Sequence, residues 1–161
     1  MSHAGQGIVS ETPMFKNILV GLDGSEHGLR AARVGCALAR QFGAKLFLLT
    51  VTRPYKVSPE LRRYLEAENL LGEPKYVLDD MTARIIAAAR EIAGEEGLTD
   101  VRSDVKEGKP ARTLIDYASQ HAIDLIVLGC RGVGELEATL LGSVSQKVSL
   151  LAGCNVLIVK E

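Results

Sequence analysis

The chain of 161 residues carries 19 Lys and Arg against 20 Asp and Glu, for a formal net charge of -1, and 47% of it is hydrophobic. That size and apolar content fit one domain with its own core and exclude a wholly disordered chain. The charge balance supplies no broad positive field for nucleic acid or an anionic membrane. With 4% aromatics and no Trp, stacking platforms for single strands are also scarce.

Three cysteines, Cys36, Cys130 and Cys154, form no CxxC pair and are odd in number. They argue against a disulfide framework and for a reducing compartment, so a cytoplasmic location is expected. No run approaches the roughly 18 apolar residues of a membrane helix. Residues 1–13 lack the basic start and apolar stretch of a secretion signal. They read as a flexible N-terminal segment ahead of one folded domain at 14–161.

The first element is Lys16 to Leu22, an apolar run of buried-strand type stopped by Asp23-Gly24-Ser25. Ser25 and Glu26 then open a helix that runs to Gln41, with Gly43 closing it. Lys45 to Val51 is a second strand without polar alternation, as expected when both sheet faces are covered. From Arg53 to about Pro74 the pattern is less regular, with a charged helical piece from Pro59 to Leu71. Too few apolar residues lie there for a separate core, so it reads as an insertion or lid.

Tyr76 to Glu96 is a strong helix with Leu78, Met81, Ile85, Ala88, Ala89 and Ile92 on one face. Val101 to Glu107 alternates Val101, Ser103 and Val105 and reads as a strand near an edge. Pro110 to His121 is a helix with Leu114, Ile115 and Ala118 inward. Asp124 to Gly129 is a buried strand, Ser143 to Leu151 a helix, and Asn155 to Val159 the last strand.

Strands alternating with helices predict an α/β fold: one doubly wound, five-stranded parallel sheet with helices on both faces, of Rossmann-like type, in strand order 3-2-1-4-5. Ligands of such sheets sit beyond the carboxyl ends of the strands where the order reverses, here between the first and fourth strands. Asp23 ends the first, and Gly129-Cys130-Arg131-Gly132-Val133-Gly134 follows the fourth.

Glycines there permit positive φ and remove side chains, so that backbone N–H groups can approach an anion. Gly142-Ser143 then opens a helix whose free amides and dipole would favour phosphate, with the Ser143 and Ser145 hydroxyls as further donors and Arg131 as a charge. Local physics leaves a simple tight turn equally open. Asp23 reads first as a turn residue capping the helix, and Cys36 and Cys154 as packed core thiols. Cys130 would need a positioned base to act as a nucleophile, and the sequence signals none. His3, His27 and His121 read as surface residues without metal-ligand spacing, and no protein metal ligand stands out. Neither a P-loop nor an early G-x-G-x-x-G is present, which favours a mononucleotide over NAD.

These residues resemble the universal stress protein family. Lys16 to Glu26 is similar to its opening strand and turn, and Leu48-Leu49-Thr50-Val51 to its second strand, although the family often has His where Thr50 stands. Gly129-x2-Gly132-x9-Gly142-Ser143 matches the motif of the family's ATP-binding branch, and the likeness spans about Phe15 to Lys160. The resemblance implies an adenine nucleotide alpha hydrolase-like fold. It also implies a stress-response sensor or regulator that binds ATP, with Mg2+ to offset the triphosphate charge beyond Arg131.

Gly21 and Asp23 would face the adenosine, and the Val51 backbone would bond adenine. Gly129, Cys130, Arg131 and Gly132 would wrap ribose and phosphates, and Gly142, Ser143, Val144 and Ser145 would hold the phosphates. Asn155 departs from the family's usual Pro. A homodimer through the C-terminal strand, Val156 to Val159, is implied, with neither nucleic acid nor membrane as partner. An alternative is a slow ATPase or adenylate-transferring enzyme, with Glu135 or Glu137 as base. A signalling or scaffold dimer with an empty pocket is a second alternative.

Overall fold

The computed structural model describes residues 12–54, 58–67, 74–132 and 141–160. Except for Thr12 and Pro13, the expected flexible lead lies outside them, as do His3, Val133, Gly134, Glu135, Glu137 and residues 55–57 and 68–73 of the expected lid. In chain order the elements are β1 (Asn17–Leu22), α1 (Glu26–Phe42), β2 (Lys45–Thr52), α2 (Pro59–Ala67), α3 (Pro74–Glu95), β3 (Val101–Glu107), α4 (Pro110–Gln120), β4 (Leu125–Gly129), α5 (Ser143–Leu151) and β5 (Asn155–Val159). The strands form one parallel sheet in the order β3-β2-β1-β4-β5, as the sequence predicts.

The two faces of the sheet carry two cores. Ile18, Val20 and Leu22 of β1 pack with Leu46, Leu48 and Val127 against α1 and α3. Leu19 points the other way and joins Phe47, Leu49, Ile126 and Leu128 against α4 and α5. Period-two alternation on a sheet covered on both sides explains why these strands read as unbroken apolar runs. Full burial of each such side chain contributes about 1.5–3 kcal/mol.

Local chemistry sets the ends of α1. Ser25 is extended and its Oγ accepts from the Gly28 N–H at 3.0 Å, while Glu26 sits in the first turn, where the helix dipole favours an acid. Asp23 Oδ1 accepts from the Ser25 N–H at 2.9 Å, so the carboxylate shapes the turn and the serine caps the helix. Gly43 ends the helix at φ 62°, a left-handed conformation that glycine adopts without strain.

Three details differ from the sequence-based expectation. Met81 is 55% exposed, because the inner stripe of α3 runs through Thr82, Ile85, Ala89, Ile92 and Ala93, one position round from the predicted face. The short Thr82 side chain occupies the place assigned to the methionine. Val105 is exposed near the end of the edge strand. Finally, Tyr117, absent from the predicted inner face of α4, is its largest buried side chain.

The Tyr117 hydroxyl donates to Asp104, which Arg102 also contacts at 2.8 Å. Burial opposes charge on Asp104. The bonds from Tyr117 and Arg102, with the charges of Arg102 and Lys106, outweigh that and hold its carboxyl below the usual range. Burial and the same hydrogen bond push the Tyr117 phenol up.

Helix α1 lies close on the sheet because Gly35 faces it: a Cβ there would overlap Val20 Cγ2 and touch Val127. Gly35→Ala is expected to lower stability by about 1–3 kcal/mol through overpacking. Urea denaturation should show a lower midpoint at unchanged slope, and adding Val20→Ala should recover part of the loss.

Candidate functional site

A cavity of about 250 Å3 lies at the carboxyl ends of β1, β2 and β4, where the strand order reverses. That volume is near the lower bound of ligand pockets, roughly 300–1,000 Å3. Its walls bring together residues from 21 to 145. Gly21 and Asp23 come from β1 and its turn, Val51 from β2, Gly129, Arg131 and Gly132 from β4 and its loop, and Gly142 to Ser145 from the start of α5. The sequence-predicted positions thus line one cavity, with a single exception among them, Cys130.

Cys130 is 5% exposed and turns away from the cavity, its Sγ lying 3.4 Å from His27 Nδ1. The imidazole that sequence reasoning could not supply is therefore present, but on the α1 side of the loop. His27 is half-buried there rather than a surface residue. His121 is likewise half-buried, stacked on the Tyr117 ring at 3.9 Å. Cys36 is fully buried, and burial first, then the charge of Glu96, pushes its thiol up to about 11. Cys154, expected in the core, is only half-buried beside the sheet's edge.

A short set of hydrogen bonds fixes the cavity wall. Cys130 N–H donates to Val159 C=O at 3.0 Å, continuing the β4–β5 pairing by one residue, and Gly142 N–H donates to Cys130 C=O at 2.7 Å. Ser145 Oγ donates to Gly129 C=O at 2.6 Å. This corrects the expectation that the Ser145 hydroxyl is a donor to a phosphate, because its proton is committed within the protein. Its backbone amide, like that of Val144, lies in the first turn of α5, where no intrahelical acceptor exists. Those amides and the positive end of the helix face the cavity.

Gly129 owes its glycine to packing rather than to a left-handed backbone. A Cβ would lie 2.6 Å from both the carbonyl carbon and oxygen of His27, so the first turn of α1 rests directly on it. Gly142 too is extended, with φ -64°. Of the two uses that glycine offers here, freedom of φ and absence of a side chain, Gly129 uses the second: close approach explains that glycine.

At the opposite wall, β1 ends at Leu22 opposite Thr50. Alternation along β2 turns Val51 toward the β1 side: Lys45 N–H donates to Lys16 on that side, whereas Gly108 donates to Thr52 C=O on the β3 side. The Val51 carbonyl therefore projects past the last β1 residue, at the cavity.

Sequence reasoning missed Arg53, Pro110, Leu114 and Leu128 as lining residues. Arg53 follows the end of β2 directly, so the strand-end rule points to it. Leu114 and Leu128 carry no signal that separates a wall from a core. Among the described residues, no group of three or more His, Cys, Asp or Glu side chains is placed to hold a metal ion, and no helix is long and apolar enough to cross a membrane.

Residues 14–160 match the model of the universal stress protein family. The chain belongs to that family. A universal stress protein of Thermus aquaticus is 38% identical over 151 residues, covering 91% of this chain and 100% of the relative. Among solved structures, universal stress protein UspA from Lactobacillus plantarum is 30% identical, with a TM-score of 0.72, covering 89% of this chain and 97% of that one. A universal stress protein solved in complex with cAMP is 28% identical, with a TM-score of 0.65, covering 90% and 96%. The residues of Gly129-x2-Gly132-x9-Gly142-Ser143 thus gather on one cavity in this universal stress protein.

Replacing Gly129 by Ala is expected to push α1 from the strand end and cost about 1–3 kcal/mol. The thermal midpoint measures the loss. A normal midpoint would mean that the His27 backbone yields without strain.

Proposed function

We propose that this universal stress protein is a stress-response regulator that binds an adenine nucleotide, ATP foremost, in the strand-end cavity. The observation that carries the reading is the convergence of both halves of the glycine motif on one concave wall. Gly129, Arg131 and Gly132 lie on one side of it, and Gly142 to Ser145 on the other. The relative solved with cAMP supports the same ligand class.

In this arrangement the Val51 carbonyl accepts from the adenine amino group, and Gly21 and Asp23 border the adenosine. Arg131 and the Val144 and Ser145 amides meet phosphate oxygens. Cys130 serves the loop through its backbone, between Val159 and Gly142. Mg2+ accompanying ATP would be held chiefly through the phosphates and water, as is usual for that cation. Three free cysteines suit a cytoplasmic setting.

Isothermal titration with ATP and AMP tests the reading, beside mass spectrometry of nucleotide released on denaturing the purified protein. Gly132→Val should weaken ATP at least roughly tenfold at unchanged thermal midpoint, since its side chain would enter the cavity. Absence of any nucleotide binding by the unmodified protein would sink the proposal, and normal binding by the variant would move the site elsewhere.

We also propose a homodimer through β5. Among the described residues that strand is an edge, paired with β4 alone, and Leu150 and Leu151 stand exposed just before it. Sedimentation should give twice the chain mass, and Ile158→Lys should shift it to the monomer. A monomeric unmodified protein would refute this arrangement.

A further inference from the structure

A second cavity, of about 810 Å3, adjoins the first across the start of α5. The two share Arg53, Pro110, Ser143 and Val144 as walls, so a group leaving the first cavity past the α5 amides enters the second. Its charged lining is of one sign. Arg53, Lys109, Arg112 and Lys147 face it, and no carboxylate lines it among the described residues.

The chain as a whole carries a formal net charge of -1, so this one-signed lining is not a reflection of overall composition. Arg112 has one acidic neighbour, Asp116 at 3.7 Å, and both are largely exposed. Such a pair binds weakly and leaves the guanidinium able to turn. Arg53, Lys109 and Lys147 make no ion pair among the described residues. Like charges gathered on one concave wall repel each other, and a multivalent anion relieves that repulsion. The small first cavity and the large basic second one therefore suit a ligand with a compact head and an anionic extension.

We propose that the basic cavity is a second phosphate subsite, receiving a phosphate chain that continues from a nucleotide in the first cavity. The assignment rests on the nucleotide reading above and narrows it to ligands with phosphates beyond those that the glycine loop holds. Arg53, at the junction, would contact the chain first. Lys109, Arg112 and Lys147 would neutralise its distal phosphates as point charges and donors.

The test compares AMP, adenosine 5′-tetraphosphate and inorganic tripolyphosphate by calorimetry at fixed ionic strength. The proteins are the unmodified chain and the triple variant Lys109→Gln, Arg112→Gln, Lys147→Gln. All three side chains are exposed and line only the second cavity, so the thermal midpoint should not move. The expected result is AMP affinity within about twofold of the unmodified protein, with adenosine tetraphosphate weakened roughly tenfold and less sensitive to salt.

Equal weakening of both nucleotides, or no change in either, would overturn the subsite. If neither AMP nor adenosine tetraphosphate binds the unmodified chain, the nucleotide reading fails by itself, and tripolyphosphate decides the subsite. Tripolyphosphate binding that the triple variant loses would sustain a phosphate-chain site, and no binding would remove it.

Discussion

The architecture depends on how closely α1 lies against the sheet. Gly35 brings the helix down on Val20 and Val127 in the middle, and Gly129 brings its first turn onto the end of β4. Neither position has room for a Cβ. Because β1 and β4 are neighbours at the reversal of strand order, the same contact sets the level of the cavity floor. The turn from Asp23 to Ser25 then starts the helix at that level, with the carboxylate shaping the turn and the serine capping.

A second constraint, the tie between β4 and α5, holds the opposite wall. Gly142 N–H meets Cys130 C=O, and Ser145 Oγ meets Gly129 C=O. The start of α5 is therefore pinned to the strand end at its N-cap, Gly142, and again in its first turn, at Ser145, although many residues separate the two segments in sequence. Preorganisation of this kind lets backbone amides face an anion with little rearrangement. It also gives Ser145 a structural role that its place in the motif does not announce.

The electrostatic layout follows the same geometry. Asp23 lies at the β1 edge of the first cavity, Arg131 beside the glycine loop, and Arg53 where the cavities meet. Beyond Arg53 the charged side chains of the lining are all basic among the described residues. An anionic ligand would thus meet increasing positive charge as it extends from the strand ends toward α4 and the middle of α5.

Much of this was legible in the sequence. Apolar runs alternating with amphipathic stretches, with turn residues at each boundary, determined five strands, their helices and the parallel sheet, because right-handed crossovers leave few alternatives. The glycine spacing and the strand-end rule determined which residues would meet. Tertiary structure alone decided the rest, since it depends on which atoms from distant segments touch. That Gly129 is small for the sake of His27, that Cys130 turns its thiol from the cavity, and that Ser145 spends its proton on Gly129 are contacts across about a hundred residues or between loop and helix. No local pattern encodes them. The phase of α3, where Thr82 rather than Met81 lies inside, and the gathering of Arg53, Lys109, Arg112 and Lys147 from three segments were likewise settled only by packing.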